Sequence, residues 1–418
     1  MNRLCHSHKL AVFGWLIGVG SFAILLFTQQ IACAQKPETV FLRQSIPRVP
    51  VDITTKVSVD GKDRLFVVDT GAEASVFDLS RWVSANPDLK DLNVRYSDSQ
   101  ATQRTFFNAR CPFYIAPSLR AQSLIVEHPT VAIIDLHEFS DRLGWKLDGI
   151  LGMPALSAGI ISLNYDKRLL EIHAGPWRLN PSDSHEMDLE KDMGVPIFDV
   201  QLGGHPVQFL IDTGDCGCVS LETSVFEALV KEGWIEVADT EETWLGAWGR
   251  YSRRRGWFLK GELMGRTLVG VSVCGDPEVS LLGLEWLYGF NTEIDFTARK
   301  FRYQKRSDAP PPMDSVMMIG AGLTYGRRGA LVEKLWPKTG AAANAGLKNG
   351  DVIEAFDGLK SAQMNSTAIA ERVAANAGKT IKVRFLRKSD GAHVRATLRL
   401  PPPISPWNFA GREFLKKK

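Results

Sequence analysis

Two hydrophobic runs in this chain end in a carboxylate and a turn, and they lie in two similar halves of the sequence. Phe66–Val68 and Phe209–Ile211 are both followed by the tripeptide Asp-Thr-Gly, at Asp69-Thr70-Gly71 and at Asp212-Thr213-Gly214. The stretches VDITTKVSVDG and FDVQLGGHPV, which precede these runs, alternate with a period of two and contain Gly at a turn. This pattern predicts a β-hairpin before each tripeptide.

The repeat continues downstream of both tripeptides. DGILGMPALSAGIISLNYDKRLLEI, residues 148–172, aligns with VSLLGLEWLYGFNTEIDFTARKFRY, residues 279–303. Each segment contains an apolar-apolar-Gly sequence, which ends at Gly152 in the first and at Gly283 in the second. Agreement at the start and the end of each half indicates a structural duplication, since two correspondences at matched spacing are hard to assign to chance.

The domain boundaries are predicted from changes in residue composition along the chain. We predict a first half at residues 48–178, a second at 190–306, a Pro-rich linker at 307–313, a third domain at 314–401 and a tail at 402–418. The linker SDAPPPM is a short, stiff segment of polyproline type. The third domain mixes strand-like runs with an Ala-rich helical stretch, which predicts an α+β unit.

The N-terminus predicts export. A basic stretch without acids leads into the apolar run Ala11–Phe27, and Ala32-Cys33-Ala34 forms an A-x-A cleavage pattern. Residues 1–34 are therefore predicted as a secretory signal peptide, which places the mature protein in the periplasm or outside the cell. An uncleaved membrane anchor is the alternative, because the run is close to the length that spans a bilayer. Lipidation at Cys33 is a second alternative.

Charge and cysteine content exclude some classes and leave others open. Lys and Arg number 50 against 47 Asp and Glu, and no basic run with interleaved aromatic residues indicates nucleic-acid binding. After cleavage four cysteines remain, at Cys111, Cys216, Cys218 and Cys274. A disulfide to Cys274, a zinc site and buried free thiols all stay open. No metal or cofactor motif is found, and the histidines lack the HExxH spacing.

The paired Asp-Thr-Gly tripeptides, each with a downstream apolar-apolar-Gly, resemble the retropepsin and pepsin class of aspartic proteases over about residues 48–305. The resemblance implies a mainly β, two-lobed fold in which Asp69 and Asp212 form the catalytic pair. Two carboxylates about 3 Å apart cannot both ionise easily, so such a pair shares a proton. The resemblance also implies supporting roles for residues that lock or pin the two turns: Thr70, Gly71, Thr213, Gly214, Gly152 and Gly283.

The resemblance further implies a hairpin that covers the substrate. In the second half we predict it within residues 243–261, with Gly246, Trp248 and Gly249 near its tip, and in the first half at residues 97–110. The neighbouring run 253–255, three arginines, is interpreted as a solvated loop.

One residue departs from the family pattern. Asp215 follows the second tripeptide where the family usually has Ala, Ser or Thr, whereas the first half has Ala72. A third carboxylate either perturbs the pair, which predicts a less acidic activity optimum, or marks a half that has lost catalysis.

The third domain resembles a PDZ domain of the type attached to bacterial periplasmic proteases, most specifically in the match to AGL-x-x-GD-x-I at residues 345–353. The resemblance implies a loop whose backbone N–H groups bind the C-terminal carboxylate of a polypeptide, formed by Gly320, Ala321, Gly322 and Leu323. Such a domain would recruit substrates without taking part in the chemistry, so truncation before Ala309 is expected to spare the hydrolysis of short peptides.

Together these patterns predict an exported aspartic endopeptidase that uses no cofactor or metal. Its partners are a polypeptide substrate and, at the PDZ domain, protein C-termini; it has no nucleic-acid partner, and it contacts the membrane only if the N-terminal segment is uncleaved or lipidated. The alternatives are a degenerate protease fold that binds peptides without cleaving them and a PDZ adaptor.

Overall fold

The computed structural model describes residues 39–80, 113–191, 194–246, 249–276, 279–307, 318–335 and 340–401. The predicted signal peptide, nearly all of the predicted linker and the tail lie outside these residues. Strands dominate the described chain, so the prediction of a mainly β protein is confirmed. None of the helices in the described ranges is long and apolar enough to cross a membrane.

The first half of the chain supplies the sheet that carries the first Asp-Thr-Gly turn. Its strands are β1 (Thr39–Ser45), β2 (Thr54–Val59), β3 (Lys62–Val68), β4 (Ser75–Asp78), β5 (Phe113–Ile115), β6 (Leu119–Ala121), β7 (Leu124–Val126), β8 (Thr130–Ile134), β9 (Gly149–Leu151), β10 (Ile160–Asn164) and β11 (Leu169–Ala174), and its helices are α1 (His137–Leu143) and α2 (Met153–Leu156). Eight strands form a sheet in the order β5-β8-β4-β9-β3-β2-β6-β7. The β2–β3 hairpin is closed by Asp60-Gly61, both with positive φ, as a two-residue type I′ turn requires. The hairpin predicted here is confirmed.

The second half repeats this arrangement around the second turn. Its strands are β12 (His185–Asp188), β13 (Ile197–Leu202), β14 (His205–Ile211), β15 (Val219–Glu222), β16 (Ile235–Gly246), β17 (Gly249–Phe258), β18 (Glu262–Leu263), β19 (Arg266–Thr267), β20 (Ser272–Asp276), β21 (Ser280–Leu282), β22 (Phe290–Asp295) and β23 (Lys300–Lys305), and its helices are α3 (Thr223–Lys231) and α4 (Leu284–Leu287). Seven strands form a sheet in the order β13-β14-β21-β15-β20-β17-β16, and β18 pairs with β19. Gly203-Gly204, again with two positive φ angles, closes the predicted β13–β14 hairpin.

The strands that lead into the two tripeptides have equivalent partners. β3 runs parallel to β9, with Val68 beside Leu151, and β14 runs parallel to β21, with Ile211 beside Leu282. Each pairing brings the apolar-apolar-Gly segment next to the residue before the aspartate. The sequence repeat is therefore a repeat of strand register as well as of residue type.

A third sheet joins the two halves. Its order is β1-β11-β10-β22-β23-β12, and the junction is the antiparallel pair β10–β22, from Ile160 opposite Asp295 to Leu163 opposite Thr292. Strand β1 begins at Thr39, ahead of residue 48 where the sequence places the start of the first half. One hydrophobic core runs through both halves and includes the stacked rings of Phe198 and Phe301. Main-chain hydrogen bonds and apolar packing thus hold the halves together.

Residues 318–401, which we call the C-terminal unit, form a separate sheet with its own core. Its elements are β24 (Ala321–Gly326), β25 (Gly329–Leu335), β26 (Val352–Phe356), β27 (Leu359–Lys360), β28 (Thr380–Leu386), β29 (His393–Arg399), α5 (Ala341–Asn344), a 3₁₀ turn (Ser361–Gln363) and α6 (Ser366–Ala375). The main path of the sheet is β24-β25-β26-β28-β29, so β24 is an edge strand among the described residues. Asn365 caps α6 by accepting a hydrogen bond from the Ala368 N–H.

Helix α1 of the first half packs against this unit, next to β24 and α6. Its Arg142 guanidinium donates from Nη1 to the Leu323 carbonyl at 2.9 Å and lies 3.2 Å from a Glu333 carboxylate oxygen. The edge strand β24 therefore has one of its carbonyls bound by a side chain of the first half.

Candidate active site

The two aspartates lie at equivalent positions because the same backbone hydrogen bond fixes both. The Asp69 N–H donates to the Leu151 carbonyl, and the Asp212 N–H donates to the Leu282 carbonyl, both at 3.0 Å. Each aspartate therefore begins its turn where a pair of parallel strands ends. Buried strands deliver the carboxylates into the interface between the halves, as the repeat predicts.

Thr70 and Thr213 bind each other's turns in a reciprocal set of four buried hydrogen bonds. The Thr70 hydroxyl donates to the Ile211 carbonyl at 2.6 Å and accepts from the Thr213 N–H at 3.1 Å. The Thr213 hydroxyl donates to the Val68 carbonyl at 2.8 Å and accepts from the Thr70 N–H at 3.0 Å. Each hydroxyl both donates and accepts across the interface, which an apolar side chain of the same shape cannot do.

Thr70→Val is therefore expected to lower the free energy of unfolding by about 2–4 kcal/mol, because it leaves a buried carbonyl and a buried N–H without a partner. Thr70→Ser keeps the hydroxyl and is the matched control, with an expected loss below about 1 kcal/mol. Urea titrations of the wild type and both variants measure the difference. Equal stability of the valine and serine variants would contradict the interlocked arrangement.

The glycine of each turn faces the opposite carboxyl group. The Gly71 N–H donates to Asp69 Oδ1 and the Gly214 N–H donates to Asp212 Oδ1, each at 2.7 Å. A Cβ on Gly71 would lie 2.6 Å from Cγ of Asp212, and a Cβ on Gly214 would clash with the Asp69 carboxyl group in the same way. No side chain fits at either position, which is the physical reason for glycine there.

The Asp69 and Asp212 carboxyl groups face each other across the two turns, since the glycine of each turn lies directly against the carboxyl group of the other half. Burial raises the pKa of both carboxyls above the usual value, and the negative charges of Asp69 and Asp215 raise the pKa of Asp212 further. Both residues are partly exposed to solvent. Because the charge on one carboxyl disfavours ionisation of the other, the pair favours holding a single shared proton.

Gly152 and Gly283 lie directly beneath the two turns. A Cβ on Gly152 would lie 2.7 Å from the Ala72 carbonyl oxygen, and one on Gly283 would lie 2.8 Å from that of Asp215. The following residue in each half donates its N–H to the same carbonyl, at 2.8 Å and 2.7 Å. These contacts fix the end of each turn from below, and they place Ala72 and Asp215 at equivalent positions.

Asp215 has a cation beside it that the sequence interpretation missed. Arg253 on β17 places Nη1 3.8 Å from Asp215 Oδ2 and forms an ion pair with the buried Asp276. Arg253 is only 4% exposed and Arg255 only 5% exposed, so the interpretation of this run as a solvated loop is wrong for both. Arg254, between them, is exposed and pairs with Glu227. The alternation of a strand explains the pattern, since residues two apart face the same side.

The predicted covering hairpin of the second half is formed by β16 and β17, with Gly246 opposite Gly249 at its end. Residues 247 and 248, including Trp248, lie outside the described residues, and so does the first-half segment 97–110.

The predicted carboxylate-binding loop of the C-terminal unit lies at the start of β24. Gly320 has a positive φ of 74°, and Ala321, Gly322 and Leu323 are the first three residues of the strand.

None of the cysteines that the structure describes is in a disulfide bond; they are Cys216, Cys218 and Cys274. The disulfide alternative is thus not formed among them, and Cys111 lies outside the described ranges. Within those ranges, no cluster of three His, Cys, Asp or Glu side chains could hold a metal ion.

Comparison with known families supports the chemistry of the first half. The family model described as aspartyl protease matches residues 55–155. The matched segment contains Asp69 with its turn and extends just past Gly152, and it ends before the second tripeptide. No curated protein matched the chain. An aspartyl protease domain, and with it a peptide hydrolase, is therefore supported by this match.

Proposed function

We propose that the chain is an aspartic endopeptidase that cleaves polypeptides with Asp69 and Asp212 as one catalytic unit. The observation that carries this proposal is the placement of two carboxyl groups, one from each half, against each other's turns, which the reciprocal threonine hydrogen bonds hold together. The surroundings of the pair raise both pKa values. A carboxyl pair of this kind holds one proton instead of two. General acid–base hydrolysis uses this singly protonated state, because one carboxylate can accept a proton while the other carboxyl donates one.

In the proposed reaction Asp69 acts as the base and Asp212 as the acid. Asp69 takes a proton from a water molecule whose oxygen bonds to the peptide carbonyl carbon, while the Asp212 proton moves to the carbonyl oxygen. The resulting tetrahedral diol collapses when its nitrogen gains a proton from the pair and the C–N bond breaks. As this bond breaks, one hydroxyl of the diol gives its proton to Asp212. The products are a carboxylic acid and an amine, and the pair again holds a single proton.

Digestion of a reduced and alkylated protein tests this proposal. We expect the full-length chain to cleave it into peptides, and we expect a transition-state-mimicking inhibitor of aspartic proteases to stop the cleavage. Asp69→Asn is the control for a contaminating protease. Inhibitor binding without cleavage would instead identify a peptide-binding protein that keeps the fold without the activity.

A pH–rate profile tests the role of Asp215. Activity requires one proton on the pair, and the negative charge of Asp215 raises the pKa of both Asp69 and Asp212. Asp215→Ala restores the residue type of Ala72 and is expected to move the optimum toward acid by about 0.5–1 pH unit. Asp215→Ser should shift it similarly. An unmoved optimum in both variants would show that Asp215 does not act through its charge.

We also propose that the chain is exported and that the C-terminal unit recruits polypeptide C-termini in the manner of a PDZ domain. The edge position of β24 supports this second role, because a peptide can add as a strand to such an edge. A peptide that paired with β24 would compete with Arg142 for the Leu323 carbonyl.

A further inference from the structure

A buried carboxylate outside the catalytic pair, Asp52, lies where the fold does not require one. The carbonyl of the next residue, Ile53, accepts a backbone hydrogen bond from the last residue of β3, and the carbonyl of Pro196 does the same for β14. Asp52 therefore corresponds to Val195 in the second half. Both are almost fully buried, at 3% and 2% exposure. Since valine serves the fold at this position, burying a carboxylate there has a cost that calls for another explanation.

Asp52 connects the second Asp-Thr-Gly turn with the C-terminal unit. The Cys216 thiol, four residues after Asp212, donates to Asp52 Oδ1 at 3.1 Å. On the other side, the hydroxyl of Ser366, the first residue of α6, lies 3.5 Å from Asp52 Oδ2. Burial raises the pKa of Asp52, and the hydrogen bonds from Cys216 and Ser366 act in the opposite direction. The carboxyl thus bridges two parts of the chain that are far apart in sequence.

The residues that precede Asp52 also contact helix α6, beside the contact of Asp52 with Ser366. The Arg48 N–H donates to a Glu371 carboxylate oxygen at 3.3 Å, and Val49 and Val51 pack against Ala370. Because Ser366 and Ala370 are four residues apart, they lie on one side of the helix. Residues 48–52, which we call the strap, are therefore fixed against the C-terminal unit by polar and apolar contacts.

We propose that Asp52 is a positioning residue through which the C-terminal unit holds the second catalytic turn in place. Helix α6 fixes the strap, Asp52 at the end of the strap fixes Cys216, and Cys216 fixes the end of the turn that carries Asp212. The catalytic consequence rests on the proposed protease function, whereas the mechanical link does not. The proposal reverses the sequence-based expectation that the C-terminal domain leaves the chemistry untouched.

Variants of the full-length chain test the link. Asp52→Val introduces the residue of the second half and is expected to lower kcat for a short internal peptide by about tenfold, with KM nearly unchanged, because small misplacements of a catalytic group mainly slow the chemical step. Asp52→Asn keeps an oxygen acceptor for Cys216 and should recover most of the rate. Ser366→Ala should lower kcat by a smaller factor. Thr367→Ala, which removes the hydroxyl of the next residue of α6, is the matched control and should match the wild type.

Hydrogen exchange gives a readout that does not depend on activity. In Asp52→Val we expect faster exchange in residues 212–218 and unchanged exchange in β28 and β29 of the C-terminal unit. If exchange accelerates everywhere, Asp52 has only a general structural role and the proposal is wrong. Unchanged kcat together with unchanged exchange at 212–218 would also overturn it.

The two proposals can fail separately. If the wild type cleaves nothing, the protease function fails while the exchange at 212–218 still decides the link. If Asp52→Val does not fold, the comparison of Ser366→Ala with Thr367→Ala decides it by the same exchange measurement. Equal exchange at 212–218 in these two variants would then overturn the proposal.

Discussion

Asp69→Asn and Asp212→Asn are each expected to reduce peptide hydrolysis by roughly a thousandfold or more, which corresponds to about 4 kcal/mol in the activation barrier. An amide at position 69 cannot take the proton from water, and an amide at position 212 cannot supply one to the carbonyl oxygen. In the proposed mechanism the two carboxyls share one proton, so the losses should be similar and the double variant should be little worse than either single one. Single-turnover assays with a chromogenic peptide measure all three. Near-normal turnover in one single variant would contradict the shared role.

The pH dependence of stability tests whether the pKa of Asp212 is raised in the folded protein. Its pKa is raised in the folded protein, so the folded state binds this proton more tightly than the unfolded chain does. The stabilisation that results is fully present below the unfolded pKa of about 4 and is lost as the pH rises through the folded pKa. Asp212→Asn removes this dependence, and its melting temperature should fall less than that of the wild type between acidic and neutral pH. Parallel curves would contradict the raised pKa.

Arg253→Met is expected to lower the free energy of unfolding by about 3–5 kcal/mol, the loss typical of breaking a buried ion pair from one side. The substitution removes the ion pair of Arg253 with the buried carboxylate of Asp276 and removes the positive charge beside Asp215. Arg254→Met is the matched control at the neighbouring position, where the exposed pair with Glu227 contributes less than about 1 kcal/mol. Denaturant unfolding of both variants gives the comparison.

If Arg253→Met remains folded, the pH at which its activity is highest should also differ from that of the wild type. Without the arginine, less positive charge offsets Asp215 beside the proposed catalytic pair, so the activity optimum is expected to move to less acidic pH, opposite to the shift in Asp215→Ala. If Arg253→Met lowers the free energy of unfolding no more than Arg254→Met does, the buried ion pair of Arg253 contributes little to stability.

The sequence predicted those features whose cause is local. The turns at Asp60-Gly61 and Gly203-Gly204 follow from residues that tolerate positive φ, and the strands beside them follow from alternation. The identity of the candidate site followed from repetition, because two copies of a short tripeptide at matched positions carry more information than one. The resemblance to aspartic proteases that these two copies carry is what predicted that Asp69 and Asp212 face each other.

The features that the sequence did not reveal depend on contacts between distant segments. Three consecutive arginines resemble a solvated run, and only the pairing of β17 with β20 places Arg253 next to Asp276. The sequence analysis did not single out Asp52, because its partners Cys216 and Ser366 lie far away in the chain. Three identical arginines give no alternation of polar and apolar residues that would mark the buried ones. The match of Asp52 with Val195 likewise follows from backbone hydrogen bonds of the folded chain and not from the sequence.

The junction β10–β22 also constrains the order in which the protein can form. When β10 has been synthesised, its partner β22 still lies beyond the whole second-half sheet, so the first half has an unpaired apolar strand edge for that interval. Contacts of such long sequence separation slow folding, and exposed edges can pair with another chain instead. Nascent chains that stop before Phe290 should therefore be prone to self-association, and the final docking of β22 should be a late, slow phase of refolding.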